Sequence, residues 1–310
     1  MSSDQPLPAD AEAIAAPRGR VRALIVAMRP HQWVKNLFVA APVLFSKNLL
    51  SKPLLVRAAL AFGLFCLLSG AVYLINDVVD VDKDRAHPRK RFRPIASGQL
   101  PLGFAKHIAF VFAVGAVAAG ALLSPWFALT AGAYFILNLA YSLQLKHVVF
   151  LDVLLIAIGF LLRVVSGALA IGVLPSYWLL ACTALLACFL GFGKRYHELA
   201  TAGDRGRAAR KVLEYYRLDH LAWIMQILAV ATVGAYVMYT LGEHTVEFFH
   251  TRRMVWTAPF IAVGVIRFQW LVVNRPRAES PTEEMLRDPL FLGNLALWCG
   301  AVIFIIYFAK

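Results

Sequence analysis

Charged residues are scarce in this sequence. Only 16% of its 310 residues are Asp, Glu, Lys or Arg, whereas 60% are hydrophobic. A soluble domain usually carries about 25% charged residues. The composition therefore excludes a soluble helical protein and is typical of a polytopic membrane protein.

Cysteine and the common ligand-binding motifs are also missing or rare. The four cysteines lie in apolar runs without a Cys-x-x-Cys spacing, which argues against a disulfide framework or a zinc site. The sequence has no Gly-x-x-x-x-Gly-Lys, Gly-x-Gly-x-x-Gly or His-Glu-x-x-His motif. The usual nucleotide-binding loops and zinc hydrolases are therefore disfavoured, and we expect no nucleic acid as a partner.

The N-terminal segment lacks a continuous apolar stretch that ends in a cleavage site, so no signal peptide is predicted. Residues 1–20 are rich in Ala, Pro and polar types, which predicts a disordered cytoplasmic tail. We expect residues 21–310 to form a single transmembrane domain.

Long apolar runs dominate the rest of the chain. Each is long enough to cross a bilayer as a helix, so we predict an all-α bundle of about nine transmembrane helices. The first run is the weakest, because Lys35 and Asn36 interrupt it and Pro42 removes a helical hydrogen bond. The runs are 31–48, 54–75, 104–123, 126–142, 149–173, 177–193, 219–241, 254–273 and 289–309.

Lys and Arg concentrate in alternate loops between these runs. Because basic loops stay in the cytoplasm, the pattern predicts a multi-pass protein of the inner (cytoplasmic) membrane whose N-terminus is cytoplasmic. The net charge of +13 then lies mostly on one face. That face could serve topology alone, or could also attract anionic lipid headgroups and phosphorylated substrates.

An acidic motif follows the second run. If the helix continues beyond residue 75, about 100° per residue places Asp77, Asp80 and Asp84 within a narrow arc, with Asn76 at its edge. Crowded carboxylates favour a divalent cation, and Mg²⁺ takes one or two carboxylates together with substrate phosphate oxygens. The alternative is a solvated acidic helix end.

Basic residues flank this motif on both sides. Lys35 could reach a phosphate at the membrane interface, or could extend to the interface only to fix topology. Arg91 and Arg93 lie in the loop after the motif, where guanidinium groups could hold an anion that a metal also binds. A purely topological loop remains the alternative.

Three further sets of polar residues are predicted to bind substrate. Arg163 lies roughly 16 Å deeper than Asp152 along the fifth run and should face a hydrated or anion-filled cavity, unless a buried structural partner receives it. Lys194, Arg195 and Glu198 can share one helical face. A short predicted cytoplasmic turn is bracketed by Tyr141, Lys146 and Asp152.

Together, Asn76-Asp77-x-x-Asp80-x-x-x-Asp84 and the segment from Tyr141 to Lys146 resemble the UbiA superfamily of membrane prenyltransferases. The likeness extends from about Arg29 to the C-terminus. Three phrases are more narrowly similar to its decaprenyl-phosphate phosphoribosyltransferase branch: Arg-Pro-His-Gln-Trp-Val-Lys-Asn, Lys-Arg-Phe-Arg-Pro-Ile-Ala-Ser-Gly and Gly-Lys-Arg-Tyr-His-Glu-Leu.

This resemblance implies a nine-helix bundle with a cytoplasmic cap, in which Asn76, Asp80 and Asp84 hold Mg²⁺ with Asp77 in support. It also implies transfer of 5-phosphoribosyl from phosphoribosyl pyrophosphate to a polyprenyl phosphate. Relatives that use prenyl diphosphate carry a second Asp-rich motif where this chain has Lys194, Arg195 and Glu198. Cations there suit directly bound phosphates.

Two other functions stay open on the sequence alone. A prenyltransferase acting on an aromatic or other small acceptor would share the acidic motif, and a transporter could line its path with acids. The sequence also leaves open a homo-oligomer and the length of the polyprenyl chain.

Overall fold

A computed structural model describes residues 19–88, 90–145, 148, 150–201, 215–274 and 281–309. Within these ranges all regular secondary structure is helical, which confirms the predicted all-α class. The helices are α1 (Arg20–Ala27), α2 (Leu37–Phe45), α3 (Lys52–Val79), α4 (Val81–Ala86), α5 (Leu102–Leu123), α6 (Pro125–Leu143), α7 (Leu151–Ala170), α8 (Tyr177–Thr201), α9 (Leu218–Leu241), α10 (Glu243–Phe249), α11 (Ala258–Asn274), α12 (Pro281–Arg287) and α13 (Pro289–Tyr307), with 3-10 helices at Pro30–Asn36, Lys90–Phe92 and Arg253–Thr257.

Eight helices in the described residues are long and apolar enough to cross a membrane. They are α3, α5, α6, α7, α8, α9, α11 with its preceding 3-10 turn, and α13. Each coincides with one of the predicted runs, so the predicted count of about nine is close. Residues 1–18 of the predicted tail lie outside the described residues, and α1 begins at Arg20.

The first predicted run is not one continuous spanning helix. Residues 30–36 form a 3-10 helix and α2 ends at Phe45. Pro30 begins the 3-10 helix, where its missing N–H costs little, and Pro42 lies inside α2. Neither piece is among the eight helices that are long and apolar enough to cross a membrane.

Two spanning helices extend past their predicted ends and carry polar residues with them. Helix α3 continues to Val79 and includes Asn76 and Asp77. Helix α8 continues to Thr201 and includes the segment from Lys194 to Glu198. Apolar run length marks only the part of a helix in hydrocarbon, so these polar final turns were left out of the predicted spans.

Consecutive spanning helices pack against each other along the chain. Helix α2 packs against both α3 and α7. The last helix returns to α2, because the Tyr307 hydroxyl donates to the Leu44 carbonyl at 2.9 Å and accepts from the Leu49 amide at 3.0 Å. The bundle is therefore closed through α2.

A very close backbone approach holds α2 against α7. A Cβ atom on Gly167 would lie 1.9 Å from the Val39 carbonyl oxygen. Since no side chain fits at that distance, only glycine permits this contact.

The outer surface is apolar. Phe110, Leu122, Trp126, Ile136 and Val230 are each more than 60% exposed. Surfaces of this kind are stable in lipid and not in water, so the chain is an integral membrane protein.

We expect Gly167→Ala to destabilise the bundle by roughly 1–3 kcal/mol, because α2 must move away from α7 to admit the methyl group. Gly132→Ala is the matched control, since Gly132 lies in spanning helix α6 and a Cβ atom added there would have nothing within 4 Å. Thermal unfolding in detergent measures the difference. Equal stability of the two variants would contradict the close approach.

Candidate active site

The described site residues predicted from the sequence gather at one end of the bundle, here called the site end. Because the spanning helices alternate in direction, α3, α6 and α8 finish at this end while α7 and α9 begin there. The acidic motif, Tyr141, Asp152 and the Lys194 to Glu198 segment all lie at those termini. Lys146 lies outside the described residues.

Two arginines bind the acidic motif. Asp77 is 3% exposed, and its Oδ1 accepts from Arg29 Nη2 at 2.5 Å and from Arg93 Nη1 at 3.4 Å. The same Arg93 nitrogen donates to Asp84 Oδ2 at 2.8 Å. Charge-assisted bonds of this kind are about twice as strong as neutral ones, so the basic loop and the segment before α2 are both tied to the motif.

The local backbone explains why the acids face one another. Helix α3 ends at Val79, Asp80 adopts a turn conformation, and α4 restarts at Val81. The predicted single helix is thus interrupted by one residue. Asp77 and Asp84 remain on the same side and are both buried.

The remaining oxygens of the motif fit a magnesium ion. The side-chain Oδ1 of Asn76 is buried and has no hydrogen-bond partner in the described residues. Asp80 is partly exposed, with one oxygen 3.9 Å from Lys83 Nζ. In the described part of the chain no three His, Cys, Asp or Glu side chains form a metal-binding group. Mg²⁺ nevertheless accepts a ligand set of one amide oxygen, from Asn76, and two carboxylates, from Asp80 and Asp84, completed by water and phosphate oxygens.

Cations surround Lys35 beside this acidic group. Lys35 lies in the 3-10 helix Pro30–Asn36, outside the eight spanning helices. The pKa of Lys35 is lowered to about 7. Loss of solvent is the largest cause, and the charges of neighbouring cations are the next. The cations are Lys194, Arg163 and Arg29, and Glu283 acts in the opposite direction. Such mutual repulsion is relieved when an anion binds.

Arg163 is buried among neutral groups. Its Nε donates to Asn36 Oδ1 at 3.0 Å, its Nη1 to the Gly159 carbonyl at 3.0 Å, and its Nη2 to the Tyr134 hydroxyl at 2.7 Å. The second alternative given by the sequence, that buried structural partners receive Arg163, is thus the one that the structure shows. None of these three partners carries a charge, so the positive charge of Arg163 still acts on its surroundings.

Arg195 is fully buried in an ion cluster. Its Nε lies 3.0 Å from Asp152 Oδ2, its Nη1 donates to Glu198, and its Nη2 donates to the Tyr141 hydroxyl at 3.4 Å. The Tyr216 hydroxyl donates to Asp152 Oδ1 at 3.2 Å. Two carboxylates therefore already bind the guanidinium that sequence reasoning placed against substrate phosphate.

Tyr216 closes this cluster from the segment before α9. Burial is the main cause that raises the pKa of Tyr216 to about 12, so its hydroxyl stays protonated and can donate to Asp152. It also accepts from the Phe150 amide at 2.9 Å. Arg91, by contrast, is exposed and stacks on Phe92, 4.8 Å from the ring centre.

Sequence reasoning missed several residues of the site. Arg29 is not among the residues predicted for the site, although it binds Asp77. Asn36 was treated as an interruption, yet it bonds Arg163. Glu283 on α12 lies 3.5 Å from His31 Nε2, and no local spacing indicated that these distant segments meet.

Comparison with known proteins identifies the family of this chain. The model of the UbiA prenyltransferase family matches residues 36–295, so the chain belongs to the UbiA prenyltransferase family. A protein of Mycolicibacterium smegmatis named decaprenyl-phosphate phosphoribosyltransferase is 34% identical over 304 residues, which cover 94% of this chain and 95% of the relative. A protein of the same name from Mycobacterium tuberculosis is 37% identical over 296 residues, covering 92% and 95%.

The fold is also that of a solved UbiA protein. A UbiA homolog from Archaeoglobus fulgidus, bound to DMAPP and Mg²⁺, has a TM-score of 0.67 and 17% sequence identity over 92% of this chain and 99% of its own. At this identity the likeness concerns the fold alone.

We expect Asp152→Ala to lower the stability of the purified protein by about 3 kcal/mol, because it removes one partner of a buried charge. Asp82→Ala should have no effect, since the Asp82 side chain is 91% exposed. Thermal unfolding in detergent tests both. If Asp152→Ala keeps its stability and only weakens substrate binding, then Arg195 contacts substrate, and a purely structural role for the Asp152–Arg195 pair is wrong.

We expect anion binding at Lys35 to weaken as the pH rises through 7. Below that pH Lys35 is protonated and attracts the anion, and above it the neutral amine does not, so affinity should fall by up to about tenfold per pH unit. Lys35→Arg keeps its charge and should remove this dependence. The measurement is pyrophosphate affinity of both proteins across the range, and their ratio cancels ionisation of the ligand. A constant ratio would contradict the assignment.

Proposed function

We propose that the protein transfers 5-phosphoribosyl from phosphoribosyl pyrophosphate to a polyprenyl phosphate, with decaprenyl phosphate as the acceptor that the relatives' name suggests. Pyrophosphate is released, and Mg²⁺ is the cofactor. The observation that carries this proposal is the binding of basic side chains to the acidic motif: Asp77 accepts from Arg29 and Arg93, and Arg93 also donates to Asp84. The charges of Lys194, Arg163 and Arg29 also lower the pKa of Lys35.

The charge balance favours phosphates on both substrates. A prenyl diphosphate and a neutral acceptor would present one anionic group, which the acidic motif and its metal can hold. A phosphoribosyl donor and a lipid phosphate present further anionic groups, which need cations of their own. Lys35 and Lys194 are the residues we assign to this task. The relatives' name, decaprenyl-phosphate phosphoribosyltransferase, supports a phosphoribosyl donor and a lipid phosphate.

Asn76, Asp80 and Asp84 would hold the metal. When bound, Mg²⁺ neutralises the pyrophosphate and makes it a better leaving group. Arg93 donates to Asp84, so its guanidinium charge lies where it can attract the same pyrophosphate. The positive charge that develops at the ribosyl C1 is stabilised by nearby carboxylate and phosphate oxygens.

The acceptor needs little activation. A lipid phosphate is already an anion at neutral pH, so it can attack C1 from the face opposite the pyrophosphate without a strong general base. The role left to Lys35 and Lys194 is to hold the two anions close together against their mutual repulsion. Positioning of this kind supplies a large part of the rate enhancement in group transfer.

The proposed location is the inner membrane, with the site end on the cytoplasmic side. The supporting observation is that the basic loop after the acidic motif lies at the site end, and basic loops remain in the cytoplasm. Phosphoribosyl pyrophosphate would then reach the site from the cytoplasm, while the polyprenyl chain stays in the bilayer.

A prenyltransferase acting on a small acceptor is the second candidate. The acidic motif is common to both functions, and the Archaeoglobus fulgidus homolog of the same fold binds DMAPP. The two candidates differ in the donor that releases pyrophosphate.

We expect purified protein with Mg²⁺ to release pyrophosphate from phosphoribosyl pyrophosphate only when a polyprenyl phosphate is present. Asp80→Ala and Asp84→Ala should each abolish turnover, because the metal and the leaving group lose a ligand. Asp82→Ala is the control, since Asp82 is in the same motif but points to solvent. Coupled measurement of pyrophosphate decides the donor, and release from prenyl diphosphate instead would favour the second candidate.

A further inference from the structure

Asp77 is the most completely arginine-bound carboxylate of the acidic motif. One of its oxygens accepts from both Arg29 and Arg93, at 2.5 and 3.4 Å. Its side chain is 3% exposed. Asp84 is nearly as buried, at 5%, but it accepts from Arg93 through Oδ2, and Asp80 is 29% exposed. A buried carboxylate between two guanidinium groups is poorly placed to take a metal as a third cation.

Arg29 is held in an unusual conformation. Its backbone is left-handed, with φ 53° and ψ 65°, which costs a non-glycine residue about 1–2 kcal/mol. The break between α1 and the 3-10 helix places this strain immediately before Pro30. The guanidinium lies over the Tyr73 ring, 5.1 Å from its centre. Side-chain contacts on α3 therefore offset the cost of the backbone.

Arg29 keeps donors for another anion. A guanidinium has five N–H donors, and the bond from Arg29 to Asp77 uses one of its Nη2 hydrogens. The side chains of Arg29 and Arg93 are 26% and 22% exposed. Arg29 also lies close enough to Lys35 to lower its pKa, which places it between the acidic motif and the cation cluster.

We propose that Asp77 is a positioning residue for two arginines rather than a metal ligand, and that Arg29 is a pyrophosphate-binding residue. Asp77 fixes Arg29 and Arg93 side by side, next to the residues that would hold the metal. This inference rests on the proposed function only in requiring that a diphosphate binds at the acidic motif.

The experiment measures the affinity of inorganic pyrophosphate by calorimetry, at saturating Mg²⁺, for the wild type, Arg29→Gln, Asp77→Asn and the double variant. A second titration measures the Mg²⁺ concentration for half-saturation at saturating pyrophosphate. Asp80→Asn is the comparison for a metal ligand. Arg22→Gln is the matched control, because Arg22 is an exposed arginine of the neighbouring helix α1.

Each single variant should weaken pyrophosphate binding roughly 10- to 150-fold, the factor for one charge-assisted hydrogen bond. The double variant should bind no more weakly than Asp77→Asn, because Asp77 acts through Arg29 and Arg93. The Mg²⁺ requirement of Arg29→Gln and of Asp77→Asn should stay within about threefold of wild type, whereas Asp80→Asn should raise it at least tenfold. Arg22→Gln should leave both quantities unchanged.

Two results would overturn the inference. A rise in the Mg²⁺ requirement of Asp77→Asn equal to that of Asp80→Asn would make Asp77 a ligand. Unchanged pyrophosphate affinity in Arg29→Gln, with or without lower thermal stability, would mean that Arg29 only binds Asp77 and does not contact pyrophosphate. Because inorganic pyrophosphate is a product of either donor, failure of phosphoribosyl transfer would leave this test intact.

Discussion

Charge pairing in a medium that cannot hydrate ions is the constraint on which this bundle depends. Taking a charged side chain out of water costs several kcal/mol, and a partner or a ligand must offset it. Asp77, Asp152 and Arg195 meet this requirement within the protein. Arg163 meets it only through neutral groups, and Lys35 lies among other cations. Asp77, Asp152 and Arg195 are therefore paired within the protein, whereas the charges of Arg163 and Lys35 can attract an anion.

Much of the fold could be predicted from the sequence, because an apolar run of bilayer length has few other structures available to it. Eight predicted runs correspond to eight spanning helices. The segment from Pro30 to Phe45 differed because its two prolines and Asn36 favour a 3-10 helix followed by a short α-helix. Its position beside α7 depends on Gly167, whose contact lies more than a hundred residues away in the chain and leaves no periodic signal.

The site was predictable where chemistry is local. Asn76, Asp80 and Asp84 share one short motif, so they can be predicted together as candidate metal ligands. Helical spacing also related Arg195 to Glu198, which do pair. The same spacing could not show that Asp152 and Tyr216, from other helices, complete the cluster. Arg29 resembled any basic residue at a membrane border until the fold placed it against Asp77.

The glycine contact between α2 and α7 links distant packing to the electrical balance of the site. Asn36 lies three residues before Val39, and Arg163 lies four residues before Gly167, so the backbone contact and the Asn36–Arg163 hydrogen bond occupy adjoining turns. Separating the helices at Gly167 would lengthen that 3.0 Å bond and leave Arg163 with one fewer acceptor. A change of helix spacing in the lipid-embedded part would thus alter how strongly the site attracts a phosphate, with no substitution among the residues that touch it.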